Sequence, residues 1–91
     1  MKISNTKKEK IHEQILAFLY SISPRPVYTV IVAREIARDE EFIKRLLFDL
    51  KEKKLVVEIK KSPKGIPYLK RARWQLSEPA YEYYKKNQKP L

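Results

Sequence analysis

The chain contains no cysteine, a single glycine (Gly65), a single histidine (His12) and no apolar run approaching the length of a membrane span. Lack of cysteine excludes a disulfide scaffold and the usual thiolate-based structural zinc sites. One glycine cannot build a glycine-rich phosphate loop. One histidine without cysteine leaves no Cys–His dyad, and the carboxylates are interspersed with lysines. His12-Glu13 opens like the zinc-protease pattern His-Glu-x-x-His, but position 16 is Leu and the second ligand is missing. The expectation is a protein that is not an enzyme and needs no cofactor or metal. The apolar stretches are too short to cross a bilayer. The N-terminus also lacks the apolar region and small-residue cleavage site of a signal peptide, so a cytoplasmic protein with no membrane role is expected.

What is present points to a small folded domain. A length of 91 residues accommodates one domain, 1–91, with one modest core. With 43% hydrophobic residues the chain can bury enough surface to fold rather than stay disordered. The formal charge of +10 is extreme for this length and favours a polyanionic partner: nucleic acid, an anionic membrane or the ribosome. Abundant Lys and Glu without Cys resemble thermophile usage, which raises the expectation of an archaeal or other thermophilic source.

Periodicity divides the chain into helix, helix, helix, hairpin, helix. Residues 1–5 and 88–91 are expected to fray. A first helix, capped by Asn5 or Thr6, runs to about Ile22 with Ile11, Ile15, Leu19 and Ile22 at helical spacing. Ser23-Pro24-Arg25-Pro26 stops it, and Val27-Tyr28 form a very short extended piece. Thr29 is the expected cap of a second helix running to about Arg38, with Ala33, Ile36 and Ala37 as a small-residue stripe. Asp39 caps a third helix with Glu40 and Glu41 in its first turn, where carboxylates suit the helix dipole. Ile43, Leu46, Leu47 and Leu50 fill its i, i+3, i+4, i+7 positions. The period then becomes two: Leu55, Val57 and Ile59 alternate with Val56, Glu58 and Lys60. After the turn-rich run Ser62–Pro67, Ala72, Trp74 and Leu76 share one side, with Leu69, Arg71, Arg73 and Gln75 on the other. Ser77 caps a last helix carrying Ala80, Tyr81, Tyr83 and Tyr84.

The stretch 32–56, VAREIARDEEFIKRLLFDLKEKKLV, resembles the helix-turn-helix of winged-helix transcription regulators. Ala33, Asp39, Ile43, Leu47, Leu50, Leu55 and Val56 fall at the family's spacings without an insertion. Downstream, Arg73-Trp74-Gln75-Leu76-Ser77-Glu78 resembles its exit from the wing into the last helix. The likeness covers about residues 6 to 87 and is to small archaeal and bacterial regulators of the broad MarR, ArsR and PadR kind. It implies an α+β, mostly α, winged helix-turn-helix: a three-helix core, a β-hairpin wing and a C-terminal helix. It also implies dimerisation through the terminal helices, here the first and the fourth. Two positions depart from the family. Lys54 stands where it has a glycine that ends the helix left-handed, at a cost of roughly 1 kcal/mol and with a slightly altered turn expected. Ala80 replaces its final glycine.

With the apolar stripe of the third helix inward, Glu41, Lys44, Arg45, Phe48 and Glu52 are left outside. Lys44 and Arg45 are the expected DNA contacts there, since a guanidinium can pair bidentately with guanine. Glu40 and Glu41 oppose phosphate. Phe48, odd on a solvated face, packs under the wing or meets a thymine methyl. The wing carries Lys60, Lys61, Lys64, Lys70, Arg71 and Arg73 with no acid among them, which suits phosphate anchoring or entry into the minor groove. Trp74 is assigned to the core. The expected function is a transcription regulator of double-stranded DNA, acting as a homodimer. Two alternatives stand beside it: a non-specific nucleoid or RNA-associated protein, and a protein-interaction winged helix within a larger assembly.

Overall fold

The computed structural model describes residues 5–59 and 72–87, apart from the side chains of Asn5 and Thr6. Four helices and three strands follow in the order α1 (Asn5–Ile22), β1 (Val27–Tyr28), α2 (Thr29–Ile36), α3 (Glu40–Glu52), β2 (Val56–Ile59), β3 (Arg73–Leu76) and α4 (Glu78–Asn87). The architecture is the mostly helical α+β arrangement expected. Val27-Tyr28 joins the hairpin as a third strand, giving an antiparallel sheet of order β1-β3-β2.

The core is built from the inner stripes of α1 and α3 closed by the sheet. Ile11, Ile15, Leu16 and Leu19 of α1 meet Ile43, Leu46, Leu47 and Leu50 of α3, with Val32 and Ala33 of α2 between. Val56, Trp74 and Leu76 close it from the sheet, and Ala80 from α4. Register explains the sheet's contribution. Val56 lies opposite Leu76 and Glu58 opposite Trp74, so one face of the hairpin carries all four. Deleting a methyl-rich side chain from such a core typically costs about 2–5 kcal/mol.

Helix boundaries depend on a few polar groups and two unusual residues. Asp39 caps α3 as expected, its carboxylate accepting from the Phe42 N–H at 3.2 Å. Ser77 caps α4, its hydroxyl accepting from the Ala80 N–H at 3.3 Å. Lys54 keeps the left-handed turn that the glycine at this position would give, with φ 64°. The Leu55 N–H reaches the Leu50 carbonyl at 2.9 Å, and that of Lys54 reaches Lys51 at 2.9 Å, a Schellman closure. The turn is therefore kept, and a lysine bears its strain.

Two sequence expectations for α2 are corrected. The helix ends at Ile36, not Arg38, because Ala37 turns left-handed at φ 63° and the Arg38 N–H bonds back to the Ala33 carbonyl. Ala37 is therefore exposed and not part of an inward stripe. Thr29 is not the cap either. It is the first helical residue, preceded by Tyr28, which makes no side-chain cap bond. Thr29 Oγ1 instead accepts from Trp74 Nε1 at 2.8 Å, 45 residues away in sequence.

Candidate nucleic-acid interface

The amphipathic α3 sets the geometry. Its inner residues Ile43, Leu46, Leu47 and Leu50 are buried, which rotates Glu41, Lys44, Arg45, Phe48 and Glu52 outward, and all five are exposed. Lys44 and Arg45 are thus neighbours on the solvent side of a helix fixed at one end by the Asp39 cap and at the other by the Lys54 turn. Glu40 and Glu41, also exposed, occupy the first turn.

Arg73 is placed differently. It begins the central strand β3, opposite Tyr28 on one side and Ile59 on the other, and is half-buried. Lys60, Lys61, Lys64, Lys70 and Arg71 lie outside the described residues, as do Gly65 and the rest of the wing loop. Of the eight basic residues singled out from the sequence, the described structure therefore places Lys44, Arg45 and Arg73.

Between α3 and the sheet lies a cluster that the sequence reading did not assemble. Phe48 packs edge-on against Trp74, with ring centroids 5.4 Å apart and planes at 88°. Lys51 Nζ stands 5.6 Å from the centre of the Phe48 ring and 2.7 Å from Glu58 Oε1. Only 5% of the Glu58 side chain is exposed, so Lys51 compensates a carboxylate that burial would otherwise penalise. Periodicity hinted at this, since Val56 and Glu58 share a strand face; that the face is the inner one follows only from the packing.

The last helix uses most of its aromatic surface within the chain. Tyr20 of α1 stacks on Tyr84 at 5.6 Å and meets Tyr81 at 5.4 Å, while Tyr83 remains 64% exposed. Burial, and then Glu13, pushes the Tyr84 phenol above its ordinary pKa. Leu16 is core, and Phe18 packs partly against it. His12 faces α3 from α1, its Nε2 buried 3.9 Å from Asp49 Oδ2. Burial foremost, then Lys53, holds this imidazole below the usual histidine range against the opposing pull of Asp49. Among the described residues, no group of three His, Cys, Asp or Glu is placed to hold a metal ion. Nor is any helix among them long and apolar enough to cross a membrane.

Comparison with solved structures settles the architecture. A mutant MepR from a multidrug-resistant S. aureus clinical isolate superposes with a TM-score of 0.71 at 16% identity, over 90% of this chain and 56% of that one. The fold is a MarR-like winged helix-turn-helix. S. aureus MepR in complex with DNA matches the winged helix with a TM-score of 0.68 at 18% identity, over 92% of this chain and 60% of the other. The PcaV transcriptional regulator of Streptomyces coelicolor, bound to its natural ligand, matches it at 0.62 and 13%, over 91% and 51%. The chain spans about half the length of the solved structures it matches. No family model matches the sequence, and no curated protein does. Within this winged helix, α2 and α3 form the helix-turn-helix, and β2 and β3 pair as the hairpin that follows it.

Proposed function

We propose that this chain is a duplex-DNA-binding transcription regulator, with α3 reading base edges in the major groove and a basic wing anchoring phosphates. The observation that carries it is the outward stripe of α3. The helix that occupies the recognition position of this fold presents Lys44 and Arg45 to solvent from a buried, doubly capped support. Six cations without an acid between positions 60 and 73 supply the sequence-independent part of the affinity. The solved complex of MepR with DNA supports the reading by its shared fold. On this reading Lys44, Arg45, Lys60, Lys61, Lys64, Lys70, Arg71 and Arg73 contact the duplex, and the chain catalyses nothing. The acting form is a homodimer through α1 and α4. The exposed Tyr83 favours that contact, whereas Tyr81 and Tyr84 are already engaged with Tyr20.

Titration of selected and random duplexes at several salt concentrations tests the proposal. Selected sites should bind at least ~10³-fold more tightly than random ones, with affinity falling steeply as salt rises. Paired Lys61→Ala and Lys64→Ala substitutions should weaken all duplexes alike and flatten the salt slope. Arg45→Ala should relax preference at one base position. Equal affinity for every duplex would instead establish the sequence-independent, nucleoid-type reading, which Glu40 and Glu41 at the reading end favour. Lack of duplex binding at low salt would leave a protein-interaction module.

A further inference from the structure

Phe48 is the one aromatic side chain among the exposed residues of α3, otherwise Glu40, Glu41, Lys44, Arg45, Asp49, Lys51 and Glu52, and it is 38% exposed. Residues 41, 44, 45, 48 and 52 follow helical spacing, so the phenyl ring lies on the same stripe as the two basic residues, one turn further along. Its position is set by packed neighbours. The ring edge-packs on Trp74, which is fully buried and tethered to Thr29 by a 2.8 Å hydrogen bond. Lys51, itself held by Glu58, lies against it. Elements α2, α3, β2 and β3 thus converge on a single exposed apolar surface whose orientation is set in advance.

We infer that Phe48 is a specificity residue, presenting this fixed apolar surface to the C5-methyl group of a thymine in the major groove. The inference rests on the DNA-binding reading of α3. A phenyl ring has no hydrogen bond to offer a base edge, and of the groups the four base pairs display in the major groove only the thymine methyl is apolar. Burial of that methyl against the ring removes apolar surface from water on both sides. Preorganisation matters because the ring loses no rotamer freedom on binding that Trp74 has not already taken from it.

The test replaces each thymine of a selected site in turn by deoxyuridine, which lacks only the methyl. Binding of the whole chain is followed by anisotropy of the labelled duplex. At one position the wild-type protein should bind about fourfold more weakly, the factor that corresponds to ~0.8 kcal/mol for one methyl returned to water. Phe48→Gln should erase the difference there and leave losses at other thymines unchanged. Phe48→Leu, which keeps apolar bulk and serves if the polar variant folds poorly, should retain part of it. A site in which no thymine shows the loss overturns the inference, as does a loss that persists undiminished in Phe48→Gln. Either result leaves DNA binding standing. Failure of the wild-type chain to bind any duplex at low salt overturns the DNA-binding reading and this inference with it.

Discussion

The Thr29–Trp74 hydrogen bond permits a sharp test of what closes this fold. Both partners are buried, with Trp74 at 0% and Thr29 at 8% exposure, and they tie the start of α2 to the central strand. Thr29→Val preserves shape but replaces the acceptor oxygen by a methyl, stranding the indole N–H in the core. An unsatisfied buried donor costs about 1–3 kcal/mol, a large share of the stability of a domain this size. In a domain of about a hundred residues each 1 kcal/mol lowers Tm by roughly 4–8 °C. Trp74→Phe removes the donor itself, at the separate cost of a cavity. In that background Thr29→Val should cost almost nothing, so the double-mutant cycle should return a coupling of about 1–3 kcal/mol. Urea unfolding followed by far-ultraviolet circular dichroism measures all four corners without relying on tryptophan fluorescence. A Thr29→Val cost that is equally large with and without the indole would refute the reasoning, because the loss could not then come from the bond.

Three further outcomes follow from the helix ends and from His12. Lys54→Gly should stabilise the chain by roughly 0.5–1 kcal/mol, since glycine escapes the left-handed penalty of about 1–2 kcal/mol but surrenders part of that gain in entropy; an unchanged or lower urea midpoint would contradict the φ of 64°. Asp39→Ala should cost about 1 kcal/mol through loss of the bond to the Phe42 N–H, with Asp39→Ser recovering most of it. His12 has its folded pKa held below the ordinary value of 6.5 by burial and by Lys53 and Lys8, against Asp49 and Glu9. The unfolded chain therefore binds more protons in the window between the two values, and stability must rise with pH across it. The contribution is complete above about pH 6.5 and is lost as pH falls towards the folded pKa. Urea midpoints measured from pH 7.5 to 5 should decline, and His12→Gln should flatten that decline.

Much of the fold is legible in the sequence because its physics is local. Ile43, Leu46, Leu47 and Leu50 can satisfy a helical period in only one rotation, and Asp39 marks where that helix starts, so the outward position of Lys44 and Arg45 follows without coordinates. Trp74 is readable as core from its alternation with Arg73 and Gln75. Thr29 misleads for a physical reason. A threonine before an apolar periodic segment has the chemistry of a cap, yet the same hydroxyl can serve a distant indole, and no local pattern reveals which demand wins. The end of α2 is hidden on similar grounds, since alanine gives no sign that it will occupy a left-handed turn. Phe48 was legible as an anomaly but not as one member of a cluster. Its contacts with Trp74 and Lys51, and the link from Lys51 to Glu58, depend on packing α3 against a sheet whose strands are separate in sequence.

Charge divides the proposed interface into parts that can be tested independently. From Arg34 to Lys54 cations and acids nearly balance, and Lys51 is committed internally to Glu58. Glu40 and Glu41 add negative charge at the end of α3 that would enter the groove. Counterion release depends on cations placed against phosphates, so a helix of this kind can contribute little to the salt dependence of binding. On the proposed reading that dependence comes chiefly from the acid-free run between positions 60 and 73, with a smaller share from Lys7, Lys8 and Lys10. Phosphate contacts made by that run, conversely, carry no sequence information directly. On the proposed reading, direct base discrimination falls to Lys44, Arg45 and Phe48. A substitution on α3 should thus change which duplex is preferred while leaving the slope of affinity against salt nearly intact, and a substitution in the wing should do the reverse.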